Sequence, residues 1–147
     1  MNKWDTRFIG MAKLVSTWSK DPSTKVGAVI VRPDRTVVSL GFNGFPRGVT
    51  DLASRLEDRD TKYEFMVHGE MNAILHAKEP LKDCTLYTYP FLTCNRCAVH
   101  VVQSGIKSVV APYCPEELKE RWDVSFMRAR IIYLEAGVNV YEGSFNV

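Results

Sequence analysis

Val26-Gly27-Ala28-Val29-Ile30-Val31, Arg32-Pro33-Asp34-Arg35 and Thr36-Val37-Val38-Ser39-Leu40-Gly41-Phe42 follow one another without interruption. The first segment is a continuous apolar run and reads as a buried strand. The second turns the chain, and the third is the partner strand of a hairpin. After the hairpin the pattern alternates. Residues 68–78, 94–104 and 115–136 carry helical spacing, and residues 85–89, 107–111 and 138–141 read as strands. Ahead of it, Trp4, Phe8, Ile9, Met11, Ala12, Leu14, Val15 and Trp18 recur at helical spacing across residues 3–20. The order α-β-β-α-β-α-β-α-β predicts an α/β fold of three α/β/α layers. A central mixed five-stranded sheet is covered by helices on both faces.

The punctuation agrees with this division. Asp21-Pro22-Ser23-Thr24 ends the first helix in a loop, Pro80 lies beyond the second, and Gly105 stops the third. Residues 43–62 are the least regular stretch and read as a long loop with one short helix, a length that usually marks function. The chain of 147 residues suits one domain spanning 1–147. Nineteen basic and 17 acidic residues leave a net charge of +2, too balanced for a protein that coats nucleic acid. No apolar run reaches bilayer-spanning length, and the start Met1-Asn2-Lys3-Trp4-Asp5 has no signal-peptide core. The expected location is the cytoplasm, with no membrane and no nucleic-acid partner. Of four cysteines, two form Cys94-Asn95-Arg96-Cys97; Cys84 and Cys114 read as packing residues.

Chemistry concentrates at His68-Gly69-Glu70 and Cys94-Asn95-Arg96-Cys97, which begin two predicted helices. Cys94 and Cys97 are three apart, so both thiolates share one helix face and can reach one ion. His68 adds an imidazole. One Zn²⁺ with two thiolates is formally neutral, and three protein ligands leave a catalytic zinc its open fourth position. Glu70, two residues from His68, converges with it only if the motif sits at the very start of its helix. There Glu70 serves as an acid/base instead of a ligand. Each residue alone has a plainer role. His68 could be a satisfied histidine, Glu70 a favourable first-turn carboxylate, and the cysteine pair a redox couple or half of a structural zinc site.

Together and in this order, the four residues match the zinc-dependent nucleobase deaminase signature, and the chain resembles the cytidine deaminase superfamily, more closely its deoxycytidylate (dCMP) deaminase family. The resemblance extends over residues 20–28, over Gly41-Phe42-Asn43-Gly44-Phe45-Pro46-Arg47-Gly48, and over Asp60-Thr61-Lys62-Tyr63 leading into His68-Gly69-Glu70-Met71-Asn72-Ala73-Ile74. It implies a cytidine-deaminase-like fold and hydrolysis of dCMP to dUMP and ammonia. His68, Cys94 and Cys97 are then the zinc ligands and Glu70 the proton shuttle. Gly69 N–H contacts the pyrimidine carbonyl, Asn43 holds the deoxyribose, and Ser23, Lys25 and Tyr113 stand near the 5′-phosphate. It further implies a homo-hexamer activated by dCTP and inhibited by dTTP. Gly41, Phe42, Asn43 and Gly44 lie at the effector site, with Mg²⁺ accompanying a triphosphate.

Three positions depart from the family pattern: Thr93 replaces Pro, Gly69 replaces Ala, and Phe42 replaces Tyr. Thr93 is expected to cap the helix that starts at Cys94, and Phe42 bears on regulation. The alternatives are a deaminase of dCTP or of tRNA adenosine on the same scaffold, and a non-catalytic zinc-stapled binding protein. Retention of Glu70, which zinc does not need, argues against the last.

Overall fold

In a computed structural model describing residues 2–147, the elements follow as α1 (Lys3–Ser16), β1 (Gly27–Val31), β2 (Val37–Phe42), α2 (Ala53–Glu57), α3 (Arg59–Phe65), α4 (Gly69–His76), β3 (Thr85–Tyr89), α5 (Asn95–Gln103), β4 (Ser108–Pro112), α6 (Glu116–Ala136) and β5 (Asn139–Gly143). One five-stranded sheet runs β2-β1-β3-β4-β5. β1 is antiparallel to both its neighbours, and β3, β4 and β5 are parallel. The sheet is therefore mixed, with its hairpin at one side and its α-β crossovers at the other.

Every residue of β1 is buried, as its unbroken apolar run requires. Alternate side chains leave a strand on opposite faces. Val29 and Val31 accordingly join Phe8, Ile9 and Ala12 of α1 on one face. Ala28 and Ile30 join a larger core with Ala73 of α4, Ala98 and Val101 of α5, and Phe126, Ala129 and Tyr133 of α6. One helix thus covers one face and three cover the other. Gly41 lets β2 approach α4 closely: a Cβ there would fall 2.5 Å from both Ala73 N and Gly69 O. Cys84 and Cys114 pack at the larger core. No helix is long and apolar enough to cross a membrane among the described residues.

Local chemistry accounts for the differences from the sequence reading. α1 stops at Ser16, short of residue 20, because Thr17, Trp18 and Ser19 N–H groups turn to the carbonyls three residues back. The stretch 43–62 holds α2 and the first half of α3, two short helices instead of one. Asp58 separates them: its carboxylate accepts Thr61 N–H at 3.2 Å and so caps α3. Thr93 does not cap α5. Cys94 occupies the cap, its Sγ accepting Cys97 N–H at 3.4 Å. The buried Thr93 hydroxyl instead pairs with Tyr133 OH at 2.6 Å.

Candidate active site

The N-termini of α4 and α5 meet beyond the end of β3. His68 is the cap of α4, in extended conformation, so Glu70 is only the second helical residue. That is the arrangement the two-residue spacing demands, since no mid-helix turn separates the side chains. His68 Nδ1 lies 3.5 Å from Cys94 Sγ and 3.3 Å from Cys97 Sγ. All three donor atoms fall within 4.8 Å of one another. A tetrahedral zinc with bonds of about 2.3 Å to sulfur and about 2.0–2.1 Å to nitrogen would space such atoms about 3.6 Å apart. The donor set therefore fits Zn²⁺ in kind and in spacing, and among the described residues no fourth His, Cys, Asp or Glu joins the cluster.

The electrostatics follow from burial and from the helix termini. A hydrogen bond from Cys97 and the neighbouring His68 lower the Cys94 thiol to about 4, and the positive end of α5 favours the same thiolate. Cys97 moves the other way, because it shares its proton with Cys94 and is itself buried. His68 is raised, first by its hydrogen bond with Cys94. Glu70 is only 5% exposed. Burial pushes its carboxyl above the usual range and the Cys94 sulfur adds to the shift, while His68 and Cys97 oppose it.

A cavity opens from these groups between two protein walls. Val26, Asn43, Gly69 and Thr24 form one, and Phe91, Leu92, Trp122 and Phe126 form the other. Asn43 is buried, and its amide is spent on the protein: Oδ1 accepts Val26 N–H at 2.8 Å, and Nδ2 donates to Thr24 O at 2.9 Å. It fastens residues 24–26 against the loop after β2. Ser23 reaches the cavity rim, where its Oγ accepts from Lys62 Nζ at 3.1 Å. Two expected phosphate neighbours are placed elsewhere. Lys25 Nζ donates to Ser19 O at 2.6 Å and does not line the cavity. Tyr113 is 62% exposed beyond β4 and does not line it either. Phe42, Asn43 and Gly44 border a second depression with Trp18, Lys20 and Phe45. Gly41 lies behind it, against α4. Asp21, Asn43 and Met66 line both hollows and form the partition between them.

A family model of the cytidine and deoxycytidylate deaminase zinc-binding region matches residues 2–112. The chain belongs to that family. It is 44% identical over 140 residues to an uncharacterized deaminase in the luxG 3′ region of Aliivibrio fischeri, a match covering 95% of this chain and 93% of that one. It is 34% identical over 142 residues to the deoxycytidylate deaminase of Mus musculus, covering 92% of this chain and 77% of that one. In three dimensions it resembles the dCMP deaminase of cyanophage S-TIM5, solved in complex with dCMP and dUMP. The TM-score is 0.74 at 21% identity, over 97% of this chain and 98% of that one. The likeness establishes the cytidine deaminase fold.

The structure brings the expected residues of the inner end together, and beside Ser23 its rim holds residues that the sequence reading did not single out. Lys62 is buried, with Nζ 3.1 Å from Asp21 Oδ1. Asp21 also accepts Ser23 N–H at 2.8 Å, so this ion pair shapes the rim loop. Arg59 and Arg121 both donate to Tyr63 OH, at 3.3 and 2.6 Å. Neither forms a salt bridge among the described residues. Ser23, Lys62 and Arg121 border both the inner cavity and an outer hollow that Pro22, Leu56, Glu57 and Arg59 complete. Lys62 stood in the sequence within the family-like Asp60-Thr61-Lys62-Tyr63, a usable signal. Arg121 and Trp122 had none, because a cation and an aromatic near the start of a long helix read as an ordinary solvated turn.

Proposed function

We propose that this chain, as one zinc-dependent domain over residues 1–147, hydrolyses dCMP to dUMP and ammonia. The observation that carries the reading is the convergence of His68 Nδ1 on both Cys94 and Cys97 sulfurs, at 3.5 and 3.3 Å, with the buried Glu70 lining the same cavity. His68, Cys94 and Cys97 hold one Zn²⁺, which supplies Lewis acidity toward water. The chain's own residues do the rest. Glu70 takes a proton from the attacking water and delivers it to N3 of the cytosine as the C4–O bond forms. It then moves the second proton to the amino group, and the C4–N bond breaks to release ammonia. Gly69 N–H holds the pyrimidine carbonyl, and Val26 and Phe126 wall the base from solvent. Asn43 fixes the loop against which the deoxyribose rests.

The 5′-phosphate goes to the rim. Two guanidiniums directed at one phenol, without carboxylate partners, are a ready receptor for a dianion. We assign this role to Arg59, Arg121 and Ser23, with Lys62 holding the Ser23 loop in place, instead of to Lys25 and Tyr113. The phosphate selects a mononucleotide over a nucleoside. Regulation by dCTP and dTTP, with Mg²⁺ on the triphosphate, belongs to the depression at Phe42, Asn43 and Gly44. The shared partition of Asp21, Asn43 and Met66 gives an occupant there a path to the active cavity. Assembly as a homo-hexamer and residence in the cytoplasm complete the proposal.

The test is ammonia release from zinc-loaded protein given dCMP, dCTP, deoxycytidine or single-stranded RNA. Release from dCMP foremost is expected; release from another substrate but not from dCMP overturns the substrate assignment. For regulation, a sigmoidal dCMP response that dCTP makes hyperbolic is expected, and hyperbolic kinetics indifferent to dCTP and dTTP refute it.

A further inference from the structure

Trp122 carries a hydrogen-bond donor that the protein leaves without an acceptor. Its indole nitrogen is buried, and it is the buried side-chain nitrogen or oxygen without a partner among the described residues. The side chain lines the same cavity as His68, Glu70 and Cys94. An indole N–H can only donate, and a buried donor left unpaired is destabilising.

Packing keeps the ring from turning the N–H toward solvent. Phe91 lies 5.5 Å away by ring centroids, tilted at 46°, and Phe126 lies 6.2 Å away, stacked at 20°. Both are buried, at 6% and 1% exposure. The Arg121 guanidinium covers the ring at 5.2 Å from its centroid. A phenylalanine would satisfy this aromatic cluster without an orphaned donor. The indole is therefore explained by what enters the cavity.

We infer that the Trp122 indole N–H is a substrate-recognition donor, paired on binding with an oxygen of the nucleoside part of the nucleotide. This inference rests on the proposed nucleotide substrate. The nucleoside part is favoured over the phosphate by position. Ser23, Lys62 and Arg121 border both the inner cavity and the outer hollow, whereas Trp122 borders the inner cavity alone. Trp122 then acts as a positioning residue: it adds neither nucleophile nor proton, and it fixes the pose that Glu70 needs.

The test uses zinc-loaded protein and two readouts. The chain has three tryptophans and so three indole N–H resonances in ¹H–¹⁵N spectra. Saturating dUMP should shift the Trp122 resonance downfield and protect it from exchange with solvent, an effect that ring packing alone does not produce. In kinetics, Trp122→Phe should lower kcat/KM by about tenfold, equally for dCMP and deoxycytidine, with zinc content and melting temperature retained. An unmoved Trp122 resonance in wild-type protein that turns over dCMP overturns the inference and leaves the deaminase reading intact. A loss confined to dCMP overturns it as well, because that places the contact on the phosphate. Should Trp122→Phe not fold, the wild-type spectrum still decides. Wild-type protein that neither deaminates dCMP nor binds dUMP refutes the substrate proposal itself, and this inference with it.

Discussion

The two ends of the cavity are assembled in opposite ways. The inner end takes its groups from two short motifs, His68-Gly69-Glu70 and Cys94-Asn95-Arg96-Cys97, each fixed by the first turn of one helix. The rim takes its groups from three distant segments: residues 21–24, Arg59 to Tyr63 of α3, and Arg121 of α6. Chemistry that must be held to a fraction of an ångström sits where helix geometry sets the spacing. The recognition proposed for the rim sits where separate elements happen to meet, and there one residue can change without disturbing the inner groups. The difference predicts that inner-end substitutions abolish turnover, and that rim substitutions change which molecule is turned over.

The largest expected effect lies at the inner end. Glu70→Gln keeps the side-chain volume and removes the acid/base. Turnover should fall by about 10²–10⁴-fold, with full zinc occupancy by elemental analysis. Near-wild-type turnover would remove Glu70 from the mechanism. Cys94→Ser removes a soft donor and leaves a hydroxyl able to cap α5. Zinc occupancy should collapse after dialysis against a chelator that leaves the wild type loaded, and retained occupancy would contradict its assignment as a ligand.

Next comes the ion pair on which the rim loop is built. Lys62 and Asp21 have side chains only 7% and 8% exposed. Lys62→Met leaves the Asp21 carboxylate buried beside an apolar side chain, a change that costs about 3–5 kcal/mol when one partner of a buried pair is removed. Denaturant unfolding should show that loss, and a companion Asp21→Asn should recover part of it. A Lys62→Met protein as stable as wild type would mean that the pair does not organise the loop.

Smaller still is the effect of Arg121→Ala, which removes one of the two guanidiniums on Tyr63. KM for dCMP should rise about tenfold, the scale of one charge-assisted hydrogen bond. Deoxycytidine kinetics should stay unchanged, and the dCMP response to salt should flatten. An equal loss for both substrates would move Arg121 from phosphate recognition to the nucleoside.

The same contrast explains what could be read from the sequence. The hairpin is legible because β1 is apolar throughout and β2 follows one turn later. The inner site is legible because every one of its spacings is shorter than one helical turn. The strand order β2-β1-β3-β4-β5 is not, because it depends on which side of β1 the later strands add. Asp58 could have revealed the split between α2 and α3, since Asp is a preferred helix cap. Thr93 misleads for a physical reason. A hydroxyl just before a helix suggests a cap, yet the cysteine beside it takes that position, and the hydroxyl is claimed by Tyr133, forty residues along the chain. No local pattern encodes that pairing.

The Thr93–Tyr133 bond therefore allows a finer test of where inner and outer construction meet. It ties the residue before the first cysteine to the last turn of α6, and both groups are buried. Tyr133→Phe strands the Thr93 hydroxyl, and Thr93→Val strands the Tyr133 phenol. Each should cost about 1–3 kcal/mol. The double variant removes both polar groups and should recover most of that loss, since replacing two bonded partners by apolar groups of similar shape is nearly neutral. The double-mutant cycle gives the coupling directly. Zinc affinity supplies the second axis. If α6 positions Cys94 through Thr93, each single variant should weaken zinc binding a few-fold, and the double variant should stay weakened although its stability returns. If zinc affinity instead recovers in step with stability, the bond is a matter of core packing, and the inner site is positioned by α4 and α5 alone.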